Sequence, residues 1–157
     1  MRYLTRRLGD RDWAEEVAQE TFLRALRQET LTNERAWLFA VATNLVRDEA
    51  RKASRQRRQL ALLAEEERES SVESQETTLE RAQEAALARK AVDALAERDR
   101  LALLMREEGL DYGEIAEALE LSPGSIGTTL SRARRRLVDS YEMLQREREL
   151  REKNAAS

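Results

Sequence analysis

The chain has 157 residues, of which 41% are apolar, 4% aromatic and 38% charged, with one Pro, five Gly and a net charge of −3. It contains neither Cys nor His, which excludes a Cys-based zinc site, a disulfide framework, a thiol nucleophile and a His general base. No EF-hand spacing, signal peptide or apolar run near the ~18 residues of a membrane span is present, so the expectation is a soluble cytoplasmic protein without cofactor, metal or membrane insertion.

Taken in chain order, Arg2 to Leu8 reads as the end of a helix closed by Gly9. Asp12 and Glu15 have the spacing of a capping box and predict a stronger helix. In it Trp13, Val17, Thr21 and Ala25 recur every four residues, flanked by Ala14, Ala18, Phe22 and Leu26. Thr30 to Asn33 is a polar break. A long helix then runs from near Glu34 to near Arg55, with Trp37, Leu38, Val41, Ala42 and Leu45 as its apolar stripe. Its last third is basic, with Arg47, Arg51, Lys52 and Arg55 followed by Arg57 and Arg58. Cations near a helix C-terminus are favoured by the dipole alone, so they do not by themselves specify a ligand.

Residues 1–58 carry 13 basic and 9 acidic side chains, whereas residues 59–84 carry 2 and 8. Within the acidic stretch, Glu65 to Thr78 is polar and rich in Ser and Thr, the composition of a flexible linker. Apolar periodicity resumes at Leu79, Ala82, Ala86, Leu87, Ala91, Val92 and Leu95. A further helix from Glu97 to Glu108 puts Leu101, Leu104 and Met105 on one face and ends at Gly109.

The most specific signal follows. Asp111 and Glu114 form a second capping-box pair, opening a short helix that carries Ile115, Ala116 and Leu119. After a short turn, Ser122 and Pro123 suit the first positions of another helix. Ile126, Leu130, Ala133 and Leu137 fall on its inner face, while Thr128, Ser131, Arg132 and Arg135 point the opposite way. A short helix, a tight turn and a second helix with a polar, basic outer face is the helix-turn-helix pattern, which points to DNA. The tail beyond Tyr141 is charged and is expected to fray. The expected fold is all-α: two small helical domains at 1–56 and 79–142, an acidic flexible linker at 57–78, and a charged tail at 143–157.

Two blocks of the sequence resemble bacterial sigma factors of the extracytoplasmic-function group. DRDWAEEVAQETFLRALRQ and RAWLFAVATNLVRDEARK look like the family's second conserved region. ALAERDRLALLMREEGLDYGEIAEALELSPGSIGTTLSRARRRL looks like its fourth. Their order, their spacing and the acidic stretch between them match as well. The resemblance implies a non-enzymatic protein that binds core RNA polymerase, recognises the −10 and −35 promoter elements and helps to open the duplex. It also implies an anti-sigma protein as a partner.

Carried onto this sequence, the resemblance assigns polymerase docking to Glu15, Glu16, Gln19, Glu20 and Arg24. Acidic groups there are poor candidates for DNA, since phosphate repels them. It assigns the −10 element to Asn44, Arg47, Asp48, Arg51, Lys52 and Arg55. Asn offers donors and acceptors to a base edge, and the cations neutralise phosphate or stack on bases. An ion pair of Asp48 with Arg51 or Lys52 is the competing structural use. Trp37 and Phe39 have the chemistry to support flipped bases, but Trp37 shares the stripe of Val41 and Leu45 and is assigned to the core. The −35 element falls to Ser125, Thr128, Thr129, Arg132, Arg135 and Arg136, with Arg132 the candidate for a guanine contact.

Three features depart from the family pattern. Gly127 stands where a longer, often basic residue is usual. Ala96 stands where a Pro commonly opens the next helix. Most of the first helix of the second region is missing, which predicts apolar exposure near Trp13. Two other readings compete: a stand-alone helix-turn-helix regulator, which leaves NLVRDEARK without a role, and a helical adaptor for protein binding.

Overall fold

Short-range signals set most of the helix ends. In the structure, a computed structural model that describes the backbone of residues 1–60 and 79–157 and the side chains of 1–55 and 79–157, α1 (Arg2–Leu8) stops at Gly9. Gly9 is left-handed at φ 72° and its N–H donates to the Thr5 carbonyl. α2 spans Arg11–Ala25 and is capped by Asp10, whose carboxylate accepts from the Trp13 N–H at 3.0 Å. The Asp12–Glu15 capping box is therefore corrected. Asp12 already lies in the first helical turn, and Glu15 pairs with Arg11 at 3.1 Å. α3 (Glu34–Leu60) opens at Asn33, whose side-chain oxygen accepts from Ala36 N–H, and it runs past Arg55. The expected linker at 57–78 lies outside the described residues from residue 61 onward.

In the second half, α4 spans Leu79–Asp93 and α5 spans Glu97–Glu107. Gly109 follows at φ 86°, the left-handed geometry expected of a residue just past a helix. α6 (Tyr112–Leu119) begins at a complete capping box: Glu114 N–H donates to Asp111 at 2.8 Å, and Asp111 N–H donates to Glu114 at 3.1 Å. A 3-10 turn at Pro123–Ser125 leads into α7 (Ile126–Ala155). The expected fraying beyond Tyr141 does not occur, since α7 continues as one helix. α4 packs along it, Leu137, Tyr141, Leu144 and Arg148 are half-buried at spacings of three and four, and Glu142–Arg146 and Arg148–Glu152 add i,i+4 pairs.

One apolar core joins the halves. Tyr3, Leu4, Val17 and Val46 from the first belong to the same buried cluster as Leu101, Met105, Ile115 and Leu130 from the second. α3 lies between α2 and α6, and α1 touches α5. Contact on two sides shifts the buried line of α3 from the expected stripe. Ala36, Ala42, Thr43 and Val46 are buried, while Trp37 and Val41 stay half-exposed outside the cluster. Thr43 is buried because its hydroxyl bonds the Tyr3 hydroxyl at 2.8 Å, satisfying two polar groups that would otherwise be costly to bury. Among the described residues no helix is long and apolar enough to cross a membrane.

Polar contacts fasten the seam. Arg7 and Arg47 both donate to Glu97 Oε1, at 3.2 and 3.3 Å. Asn33 donates to Glu117 at 3.1 Å, and Arg35 donates to the Glu108 carbonyl at 2.8 Å. The Arg7 side chain is only 4% exposed. Burial holds its pKa below the usual guanidinium value, partly offset by Tyr3 and Glu97.

Candidate nucleic-acid interface

On α7 the packing separates an inner from an outer face. Ile126, Thr129, Leu130 and Ala133 are buried, while Thr128, Ser131, Arg134, Arg135 and Arg136 are exposed. Thr129, expected to face DNA, is 5% exposed. Its register, three residues after Ile126 and four before Ala133, places it on the inner face, so it is not available to a base. Ser125 sits in the 3-10 turn, where its hydroxyl donates to the Ser122 carbonyl at 2.7 Å. Gly127, Thr128, Ser131, Arg132 and Arg135 line a shallow outer groove. A helix presenting such a groove has the shape and charge for a major groove.

Arg132 and Arg136 are not free to wander. Arg132 donates from Nη2 to Asp99 Oδ1 at 2.6 Å and from Nε to Oδ2 at 3.3 Å, and Arg136 donates from Nη1 to Oδ2 at 3.1 Å. Asp99 lies in the first turn of α5 with its side chain 1% exposed. Hydrogen bonds from Arg132, then the charges of both arginines, hold its carboxyl below the usual carboxylate range, against the opposing effect of burial. The same pairing raises the Arg132 pKa.

A second polar face lies on the C-terminal part of α3. Asn44, Asp48, Arg51, Lys52 and Arg55 are exposed, and Arg47 is half-buried against Glu97. Asp48 pairs with Arg51 at 3.8 Å, and Lys52 pairs with Glu49 at 3.5 Å. Exposed pairs at these distances contribute about 0–1 kcal/mol, so phosphate can displace them. Glu20 and Arg24 of α2 line one groove with Asp48, Arg51, Lys52 and Arg55 of α3, bringing two of the docking candidates beside the −10 candidates. Glu20 and Arg24 pair at 2.7 Å, while Glu16 and Gln19 are exposed.

Comparison with known proteins places this geometry. Sigma-70 region 2 matches residues 1–56, and Sigma-70, region 4 matches residues 85–137. The ferric citrate uptake sigma factor FecI of Escherichia coli is 33% identical over 137 residues, covering 83% of this chain and 78% of FecI. The chain belongs to the sigma-70 family, as a sigma factor of the extracytoplasmic-function type. The ECF RNA polymerase sigma factor SigL of Mycobacterium tuberculosis is 47% identical over 57 residues, a match covering 33% of this chain and 32% of SigL. In fold, the sigma factor resembles RpoE as solved with the anti-sigma factor NepR from Bartonella quintana, with a TM-score of 0.67, 23% identity and coverage of 89% and 88% of the two chains. Sigma factors are transcription initiation factors rather than enzymes.

Sequence reasoning missed two features of this sigma factor. Asp99 carries no local signal, because its partners lie 33 and 37 residues away. On α2, Phe22, Leu23 and Leu26 are 59%, 52% and 83% exposed and line a groove with Glu15 and Gln19. The expectation put the exposed apolar surface at Trp13, which is instead half-buried against the core. Spacing gives no warning of this, because Phe22 and Leu26 continue the four-residue row of Ala14 and Ala18, both buried.

Proposed function

We propose that this sigma factor docks on core RNA polymerase through the outer face of α2, using Glu15, Glu16, Gln19, Glu20 and Arg24. In this reading α3 presents Asn44, Arg47, Asp48, Arg51, Lys52 and Arg55 to the −10 element. α7 presents Ser125, Thr128, Arg132, Arg135 and Arg136 to the −35 element, with Thr129 as a packing residue behind them. The protein works in the cytoplasm, and an anti-sigma protein holds it inactive by covering its docking faces. The observation that carries the reading is the pair of exposed polar, basic faces on α3 and α7, each opposite a buried face, in a chain that belongs to the sigma-70 family. Support for the anti-sigma partner comes from the RpoE likeness, since that protein was solved with one. A stand-alone regulator would leave the α2 and α3 faces without a use.

Charge reversal separates the assignments. Glu16→Lys is expected to weaken core polymerase binding about tenfold or more. Arg51→Glu and Arg135→Glu are expected to leave core binding intact and to weaken promoter binding by the resulting holoenzyme. Loss of core binding in the two arginine variants, or none in Glu16→Lys, would contradict the assignment.

A further inference from the structure

We propose that Asp99 is a positioning residue for −35 recognition, setting which edge of the Arg132 guanidinium is presented to DNA. The inference rests on the reading of Arg132 as a DNA contact. Asp99 takes the side edge of that guanidinium, Nε and Nη2, in a two-point bond. What remains is Nη1 and the second N–H of Nη2, the end-on edge, on a residue that lines the outer groove with Thr128, Ser131 and Arg135. That edge still offers two parallel donors, the arrangement that recognises guanine O6 and N7.

The arrangement also solves an electrostatic problem. Arg132 and Arg136 stand one turn apart on the same helix face, where like charges repel. Asp99 Oδ2 accepts from both and holds them together. Its own position is fixed by burial, in the first turn of α5. A long side chain that would otherwise sample many rotamers is thus ordered before DNA arrives, which lowers the entropic cost of recognition. The two-point bond satisfies the buried carboxylate in any case, but a tie that merely fastens α5 to α7 would not need a guanidinium edge left open to the groove.

The test uses holoenzyme reconstituted from core polymerase and the full chain, transcribing a library randomised across the −35 and −10 elements. Arg132→Ala is expected to flatten base preference at one or two −35 positions by about tenfold. Asp99→Asn, which keeps the shape and removes the charge, is expected to flatten the same positions by about threefold and to leave −10 preferences unchanged. Asp99→Glu, which keeps the charge and displaces the carboxylate by one methylene, is expected to do the same. It serves as the test if Asp99→Asn does not fold, as judged by thermal melting. A uniform drop in transcription with all preferences retained would make Asp99 a structural tie and overturn the proposal. Unchanged −35 preferences in Arg132→Ala would overturn the underlying reading of Arg132 as well.

Discussion

Arg47, on the face assigned to the −10 element, donates to Glu97 of the other half at 3.3 Å. Arg7 converges on the same oxygen at 3.2 Å. In the reading proposed above, the two DNA faces sit on one body with a shared core, whose longest helix, α7, spans about 45 Å. Elements named for positions −10 and −35 stand ~25 base pairs apart, about 85 Å of duplex. If α3 and α7 carry those two readings as proposed, the halves are expected to part before both elements are read at once. With no native Cys, a Ser54→Cys, Asp139→Cys pair can be labelled cleanly for energy transfer. Promoter-bound holoenzyme is expected to show much lower transfer than the free chain. Glu97→Ala is expected to shift the free chain toward opening by about 1 kcal/mol, the scale of a part-exposed ion pair. Equal transfer in the free and promoter-bound states would contradict this.

The apolar groove on α2 predicts a second contribution to polymerase docking. Phe22 and Leu26 are exposed, so Phe22→Ala and Leu26→Ala should change stability by no more than about 0.5 kcal/mol. Each is expected to weaken core polymerase binding about tenfold, as central apolar anchors do. Fluorescence anisotropy with labelled chain measures it, and unchanged affinity in both variants would remove the groove from the interface.

Gly127 does not owe its identity to crowding. A Cβ there would meet the nearest Tyr112 ring carbon at 3.6 Å, an ordinary contact. Gly127→Ala should raise stability by about 1 kcal/mol, or the melting temperature by about 3 °C. Gly127→Lys adds a cation to the outer groove and should steepen the salt dependence of promoter binding by about one unit of slope. A destabilised Gly127→Ala variant would mean that the start of α7 is held less openly than described.

Asp99 makes the stability depend on acid. Its carboxyl is held below the ordinary value in the folded state, so its contribution is complete above the unfolded value of about 3.9 and is lost as pH falls through the folded one. Asp99→Asn should be about 2 kcal/mol less stable than the parent at pH 7, with the gap narrowing below about pH 4. Urea unfolding at pH 7 and pH 3 tests this. A gap of constant size would mean that charge is not what Asp99 contributes.

Features encoded within a few residues were legible. The Asp111–Glu114 capping box, the left-handed Gly109, the Asp48–Arg51 pair and the inner face of Ile126, Leu130 and Ala133 all follow from local spacing. Other features depend on distant neighbours. The buried line of α3 departs from its sequence stripe because α6 and α2 both pack on that helix, burying Ala36 and Thr43 in place of Trp37. Helical register places Thr129 beside Ile126 and Ala133, and this burial overrides the −35 role that the resemblance carries onto it. Asp99 and Glu97 look like ordinary acids in a first helical turn, and their partners are 33 to 90 residues away in sequence. The charged composition of the tail does not report that α4 packs along α7.

The most direct test of the account is run-off transcription with purified core polymerase and a promoter library, with and without this chain. New start sites that depend on the chain, preceded by shared −35 and −10 sequences, are the predicted result. Firm binding to promoter-like duplex by the chain alone, with no binding to core polymerase and no new transcripts, would contradict it.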